Sequence, residues 1–379
     1  MKRMVAVLCS IALIMTGCGE SSGGNGEPTS TPATGKKYQE QEYVSLPDEN
    51  MVYDDEGLYV TDLQTNLQGE PALYQYVTDT DENDESFASI FEYTLNSDGN
   101  WQTKEYVHKA LTKTVQKIVE DEMKDVDIPF ITRGDDGNLY ALLQAREPAE
   151  YENPMAKKEE RFPCQYSVLV IDESGNTFQK VNLQTKVDVD GTEVDYAKEY
   201  DVTQFHVTED GTYFLVFNGT NAIWFDSATG TQTNVCESIA DSAFGKKVGY
   251  GESEIVYYSM AKKKFGVLDS QTLTLSSECG DDIPEESRKY EWYFDTDTTN
   301  WQMYAFNLSG LYRFGDFGKK ASATRLSATG SFDSLADANI YDILVGTNQE
   351  LYLLVRKSPE GESTDEQSWE YGILKYEAR

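Results

Sequence analysis

One piece of sequence grammar recurs six times along this 379-residue chain, and it restricts the fold more than any other feature. A polar turn leads into a mostly apolar position, a tyrosine and a short β-prone run. It reads DDEGLYVTDL from Asp54, GDDGNLYALLQ from Gly134, EDGTYFLVF from Glu209, ESEIVYYSM from Glu252, TNWQMYAFNL from Thr299 and TNQELYLLVR from Thr347. The tyrosines are Tyr59, Tyr140, Tyr213, Tyr257, Tyr304 and Tyr352, so by subtraction successive members stand 81, 73, 44, 47 and 48 residues apart. A second series falls between them: ASIFEYTLNSDGNW from Ala88, SVLVIDESGNTF from Ser167, AIWFDSATG from Ala222, FGVLDSQTLTL from Phe265, LYRFGDFG from Leu311 and YGILKYEAR from Tyr371. Runs of this length, rich in Val, Ile, Tyr, Phe and Leu and separated by Gly, Asp, Asn and Ser, are strands joined by tight turns.

Two hairpin types alternating at a period near forty-five resemble a β-propeller, whose blades repeat every 40–50 residues or so. A single four-stranded blade cannot bury both of its faces, whereas blades packed round an axis can. The resemblance implies an all-β domain of six four-stranded blades, with seven as the alternative count. The Trp-Asp pairs of WD40 blades and the double glycine of kelch blades are both missing, which leaves an irregular β-sandwich or two smaller β domains as competitors. The long first two intervals hold either a further blade or insertions. Val107, Leu111, Val115, Ile118 and Val119 recur at helical spacing, so Val107–Met123 is read as an inserted amphipathic helix. Glu147–Arg161, charged and containing Pro148 and Pro154, is read as a surface loop. The last hairpin lacks an outer strand. Tyr38–Leu46 is expected to supply it and so remove an exposed sheet edge.

The N-terminus carries an address. Lys2 and Arg3 precede an apolar run from Met4 to Met15, and Thr16-Gly17-Cys18 follows at once. A basic start, an apolar stretch too short to span a bilayer and a small-residue cleavage site form an export signal. The ending on Gly17-Cys18 resembles the lipobox of bacterial lipoproteins, although Met15 stands where that family usually has leucine. The resemblance implies cleavage before Cys18, lipidation of Cys18 and residence on the extracytoplasmic face of a cell membrane, held by the lipid. Residues 19–37 have no large apolar side chain and read as a flexible tether. The expected organisation is therefore a signal peptide over 1–17, a tether over 18–37 and a propeller domain over 38–379.

Charge narrows the partners. The chain has 32 basic and 66 acidic residues, and loss of Lys2 and Arg3 with the signal leaves 30 against 66, a net charge of −36. Nucleic acid and close adsorption on anionic headgroups both require a basic face. After Cys9 and Cys18 are set aside, Cys164, Cys236 and Cys279 remain, which is neither a disulfide framework nor a zinc pattern. A single bridge, such as Cys236–Cys279, and three free thiols both stay open.

Little in the sequence points to chemistry. His108 and His206 are the only histidines, and neither adjoins a nucleophile elbow or a reactive cysteine motif. Asp79, Asp81 and Asn83 alternate like the start of an EF-hand loop, making calcium the candidate cofactor, but Asp84 occupies the glycine position and Ile90 the place of the bidentate glutamate. Asp188-x-Asp190 and Asp295-x-Asp297 are shorter echoes. IDESGNTF from Ile171 resembles a degenerate Asp-box, the turn motif of sialidase propellers, with Glu173 where Asp belongs. Arg133-Gly134-Asp135 spells an adhesive tripeptide, but at a position where a turn wants Gly and Asp. Trp292, Tyr293, Trp301 and Trp369 flank loops and are candidates for either the core or stacking on a ligand. The expected role is a binding module for an envelope protein or a glycan, with an enzyme acting on extracellular polysaccharide as the alternative.

Overall fold

A computed structural model describes most of residues 38–378. Residues 1–37 and several intervening stretches, chief among them 147–163 and 358–369, lie outside the described residues, and with them the leader, Cys18, the tether and the Glu147–Arg161 loop. The remainder is a β-propeller. Four-stranded antiparallel sheets form in order along the chain. The first holds Gln64–Thr65, Pro71–Thr80, Ser86–Leu95 and Trp101–Tyr106; the second, Asp125–Arg133, Leu139–Arg146, Cys164–Ile171 and Phe178–Asn182. The third holds Val202–Val207, Tyr213–Phe217, Asn221–Phe225 and Gln232–Cys236; the fourth, Ser242–Val248, Glu254–Ser259, Lys264–Asp269 and Leu275–Cys279. The fifth holds Tyr293–Asp297, Gln302–Asn307, Gly310–Phe314 and Ala323–Leu326. A sixth sheet, of five strands, unites Ala338–Val345, Leu351–Lys357 and Glu370–Ala378 with Tyr38–Ser45 and the short Ala328–Thr329.

The first strand of each of the first five sheets lies beside the first strand of the next. The sixth returns to the first through Asp342, whose Oδ2 accepts the Leu63 backbone N–H at 2.6 Å. Two other first-strand side chains bond the neighbouring sheet in the same way. Asp295 Oδ2 accepts Val345 N–H at 2.8 Å, while the Gln64 amide donates to Ile131 O at 2.7 Å and accepts Arg133 N–H at 3.1 Å. Backbone groups at these buried junctions would otherwise lack partners, and an unmet buried polar group costs about 1–3 kcal/mol.

The two series in the sequence are the second and third strands of the sheets. Tyr140, Tyr213, Tyr257, Tyr304 and Tyr352 all sit on second strands. The expectation at Tyr59 fails. Its DDEG turn closes an isolated hairpin of Tyr53–Asp54 with Gly57–Leu58, Tyr59 itself lies outside the described residues, and the second strand of the first sheet is Pro71–Thr80.

The inserted helix spans His108–Asp121, and its Leu111 and Ile118 pack on Ala88, Ile90 and Ile128. Val119 faces out instead, since consecutive helical residues point about 100° apart and Ile118 already faces the core. Val107 is buried ahead of the helix, in a positive-φ conformation. A second insertion, the hairpin Lys186–Val189 with Thr192–Asp195 followed by the helical turn Tyr196–Glu199, buries Tyr196 between the second and third sheets. The Gly191 N–H bonds Asp188 Oδ1 at 2.7 Å, which makes that acidic echo a turn.

Ring closure follows the expected route. Tyr38–Ser45 runs antiparallel to Glu370–Ala378, pairing Tyr38 with Ala378 and Ser45 with Gly372. Tyr38 is fully buried and meets Tyr304 of the fifth sheet edge-on, and Leu46 enters the core between the sixth and first sheets. Gly372 gives the Tyr43 ring its place in this pairing, because a Cβ there would stand 2.5 Å from the ring and force it to move.

Buried tyrosines make the fold sensitive to alkali. Burial, and then the charge of Asp136, pushes Tyr213 up to about 12; burial, and then Glu350, does the same to Tyr352. Tyr74, Tyr106, Tyr140 and Tyr166 are also raised, chiefly by burial. A phenol raised in the folded state stabilises fully below its unfolded value near 10, and that contribution is lost as pH climbs through the folded value. The melting temperature is therefore expected to fall steeply between about pH 10 and 12, followed by circular dichroism. An unchanged melt over that window contradicts the burial of these hydroxyls.

Candidate functional site

Between the first and second sheets the packing changes character along a single sheet face. Tyr76, Ile90 and Ala88 of the first sheet lie in the apolar core with the helix. Further along the same strands, alternate positions are Tyr74, Glu92 and Thr94, with Lys104 and Gln102 paired opposite the last two on the outer strand. A cavity of about 330 Å³ opens here, lined by Glu92, Thr94, Gln102, Lys104 and Tyr106 of the first sheet, the Asn66–Glu70 turn and Arg133 from the second sheet.

Its wall is a buried ion pair. Arg133 and Glu92 have side-chain exposures of 6% and 8% and meet at 2.6 Å. The guanidinium also donates to Tyr74 Oη at 3.0 Å, to Gly137 O at 2.9 Å and to Tyr106 Oη at 3.0 Å. Glu92 further accepts Tyr106 O–H at 2.7 Å and Thr94 O–H at 3.1 Å. Burial opposes the charge on Arg133, but Tyr74 and Glu92 outweigh it and hold the group protonated. Of the adhesive tripeptide, Arg133 is a wall residue turned inward, Gly134 begins the turn closed by Gly137 N–H to Gly134 O at 3.0 Å, and Asp135 is exposed on that turn.

The other sequence candidates fall in separate places. Asp79 is exposed near the end of its strand, while Asp81 and Asn83 lie outside the described residues. Among the described residues no group of three or more His, Cys, Asp or Glu is disposed to hold a metal. Asp172 caps a turn, accepting Ser174 O–H at 2.6 Å and Gly175 N–H at 3.1 Å, with its carboxyl held below the usual range by those bonds. Trp292 is core, packed on Phe265 and Tyr312; Tyr293 is half-buried against the core of the fifth and sixth sheets; Trp301 and Trp369 are outside the described residues. Cys164 is a buried thiol pushed up by burial, and the Cys279 side chain is outside the described residues. His206 is buried and stacked on Phe214.

His108 belongs to a cluster that the sequence did not reveal. Ser89 Oγ lies 2.8 Å from His108 Nδ1 and 2.6 Å from Glu105 Oε1, and Glu105 is 3.0 Å from the same Nδ1. A nucleophile relay needs the serine and the acid on opposite ring nitrogens. Here both meet one nitrogen, and Ser89 is fully buried, beyond the reach of a substrate carbonyl. The cluster pins the start of the helix to the sheet.

No protein-family model matches this chain, and no curated protein matches it. Solved structures do. A β-propeller domain from Myceliophteria thermophila is 12% identical, covering 88% of this chain and 99% of its own, at a TM-score of 0.46. A WD40 β-propeller domain is 8% identical over 90% and 97%, at 0.44. A Bacteroides caccae protein of unknown function is 11% identical over 70% and 96%, at 0.36. The fold assignment rests on the sheet order of the chain itself.

Proposed function

We propose that this chain is a lipid-anchored propeller that displays a binding surface on the outer face of a bacterial membrane, with another envelope protein as its partner. The observation that carries this reading is the continuity between the N-terminal sequence and the fold. Gly17-Cys18 and the polar stretch 19–37 run directly into Tyr38, the first residue of the strand that closes the ring. In this reading the lipid on Cys18 is the attachment; among the described residues no helix is long and apolar enough to cross a membrane.

Cys18→Ala tests it. The variant is expected to leave the membrane fraction or to accumulate as an unprocessed precursor, while the native chain sediments with membranes and releases the partner only in detergent. A mature-length Cys18→Ala chain that still sediments with membranes overturns the anchor. A native chain that crosslinks to no envelope protein in intact cells overturns the partner.

A further inference from the structure

We infer that the cavity between the first and second sheets is a binding site for a single neutral sugar unit. The inference rests on the cavity and not on the membrane anchor. In a chain of net charge −34 the lining is electrically balanced, with Arg133 set against Glu92 and Lys104 against Glu70. A charged ligand would leave an uncompensated charge beside a buried pair, whereas a neutral one would not.

The hydrogen-bonding chemistry is mixed in the way that hydroxyl groups require. Arg133 uses its Nε–H, one bond from Nη1 and two from Nη2, so one of its five N–H groups is unused. Glu92 accepts three bonds out of about four sites. A sugar hydroxyl both donates and accepts, and so matches a lining that keeps one spare donor and one spare acceptor. At the mouth, the Gln68 and Gln102 side chains form no hydrogen bond with the described residues and add an amide donor and acceptor each.

Size and surface set the limits. About 330 Å³ is at the lower end of ligand pockets, which suits one ring rather than a long chain. The Tyr106 ring is covered by Lys104 Nζ at 4.2 Å, and Gly175 packs so closely on it that a Cβ would lie 2.6 Å away. No aromatic platform is offered, so hydrogen bonds alone hold the sugar and the dissociation constant is expected near millimolar, about −4 kcal/mol.

Saturation-transfer NMR on the full-length chain in detergent tests this, with glucose, galactose and N-acetylglucosamine as neutral probes and glucuronic acid and glucosamine as charged ones. At least one neutral probe is expected to show transfer that drops about fivefold or more in Gln102→Ala, an exposed position whose loss leaves the melting temperature unchanged. Thr94→Val is expected to weaken the same probe. Transfer to none of the neutral probes, transfer that survives both substitutions, or stronger transfer to either charged probe overturns the assignment.

Discussion

A chain lacking residues 38–46 is expected to melt about 10 °C lower than the native protein and to lose the sharpness of its transition. The deleted strand supplies the outer ladder of the sixth sheet, the fully buried Tyr38 and the core residue Leu46. Losing a paired strand together with two such side chains costs about 3–5 kcal/mol, and each kilocalorie shifts the melting temperature of a domain this large by roughly 2–4 °C. Removing 19–34 is expected to change nothing measurable, because that stretch carries no large apolar side chain. Gly372→Ala gives a milder version of the same effect by driving a methyl group into Tyr43. Equal tolerance of the two deletions in a thermal melt contradicts closure by the N-terminal strand.

Arg133→Ala is the second large effect. It strands the Glu92 carboxylate at 8% exposure and removes donors from Tyr74, Tyr106 and Gly137 O. Breaking a buried pair from one side costs about 3–5 kcal/mol, whereas replacing both charges with apolar groups of similar volume costs far less. The double variant Arg133→Met with Glu92→Met is therefore expected to recover most of the stability that either single change loses. Chemical denaturation of Arg133→Met, Glu92→Met and the double variant checks it. Losses that simply add in the double variant contradict the coupling of the pair.

The propeller was legible because its second and third strands are buried on both faces and must be apolar runs, with turn residues between them. The first strands were not. Gln64–Thr65 is two residues long, and Tyr293–Asp297 carries Asp295 and Thr296, polar positions that only the ring buries. A polar residue that bonds a neighbouring sheet looks in sequence like a loop. The cavity was hidden for a related reason. Glu92 within IFEYTL and Arg133 after IPFIT are charges inside β-prone runs, which signals that each needs a partner. Their separation of 41 residues gives no hint that the partner is the other. The EF-hand echo and the adhesive tripeptide say little by themselves, since Asp, Gly and Asn gather wherever strands turn.

Hydrogen–deuterium exchange across residues 19–46 and 370–378 tests the closed ring most directly. Amides of Tyr38–Ser45 that point into the ladder are expected to exchange as slowly as their partners in Glu370–Ala378, while those of 19–37 exchange at the rate of an unstructured peptide. Exchange of Tyr38–Ser45 as fast as that of 19–37, with Glu370–Ala378 still protected, means that the sixth sheet closes without the N-terminal strand.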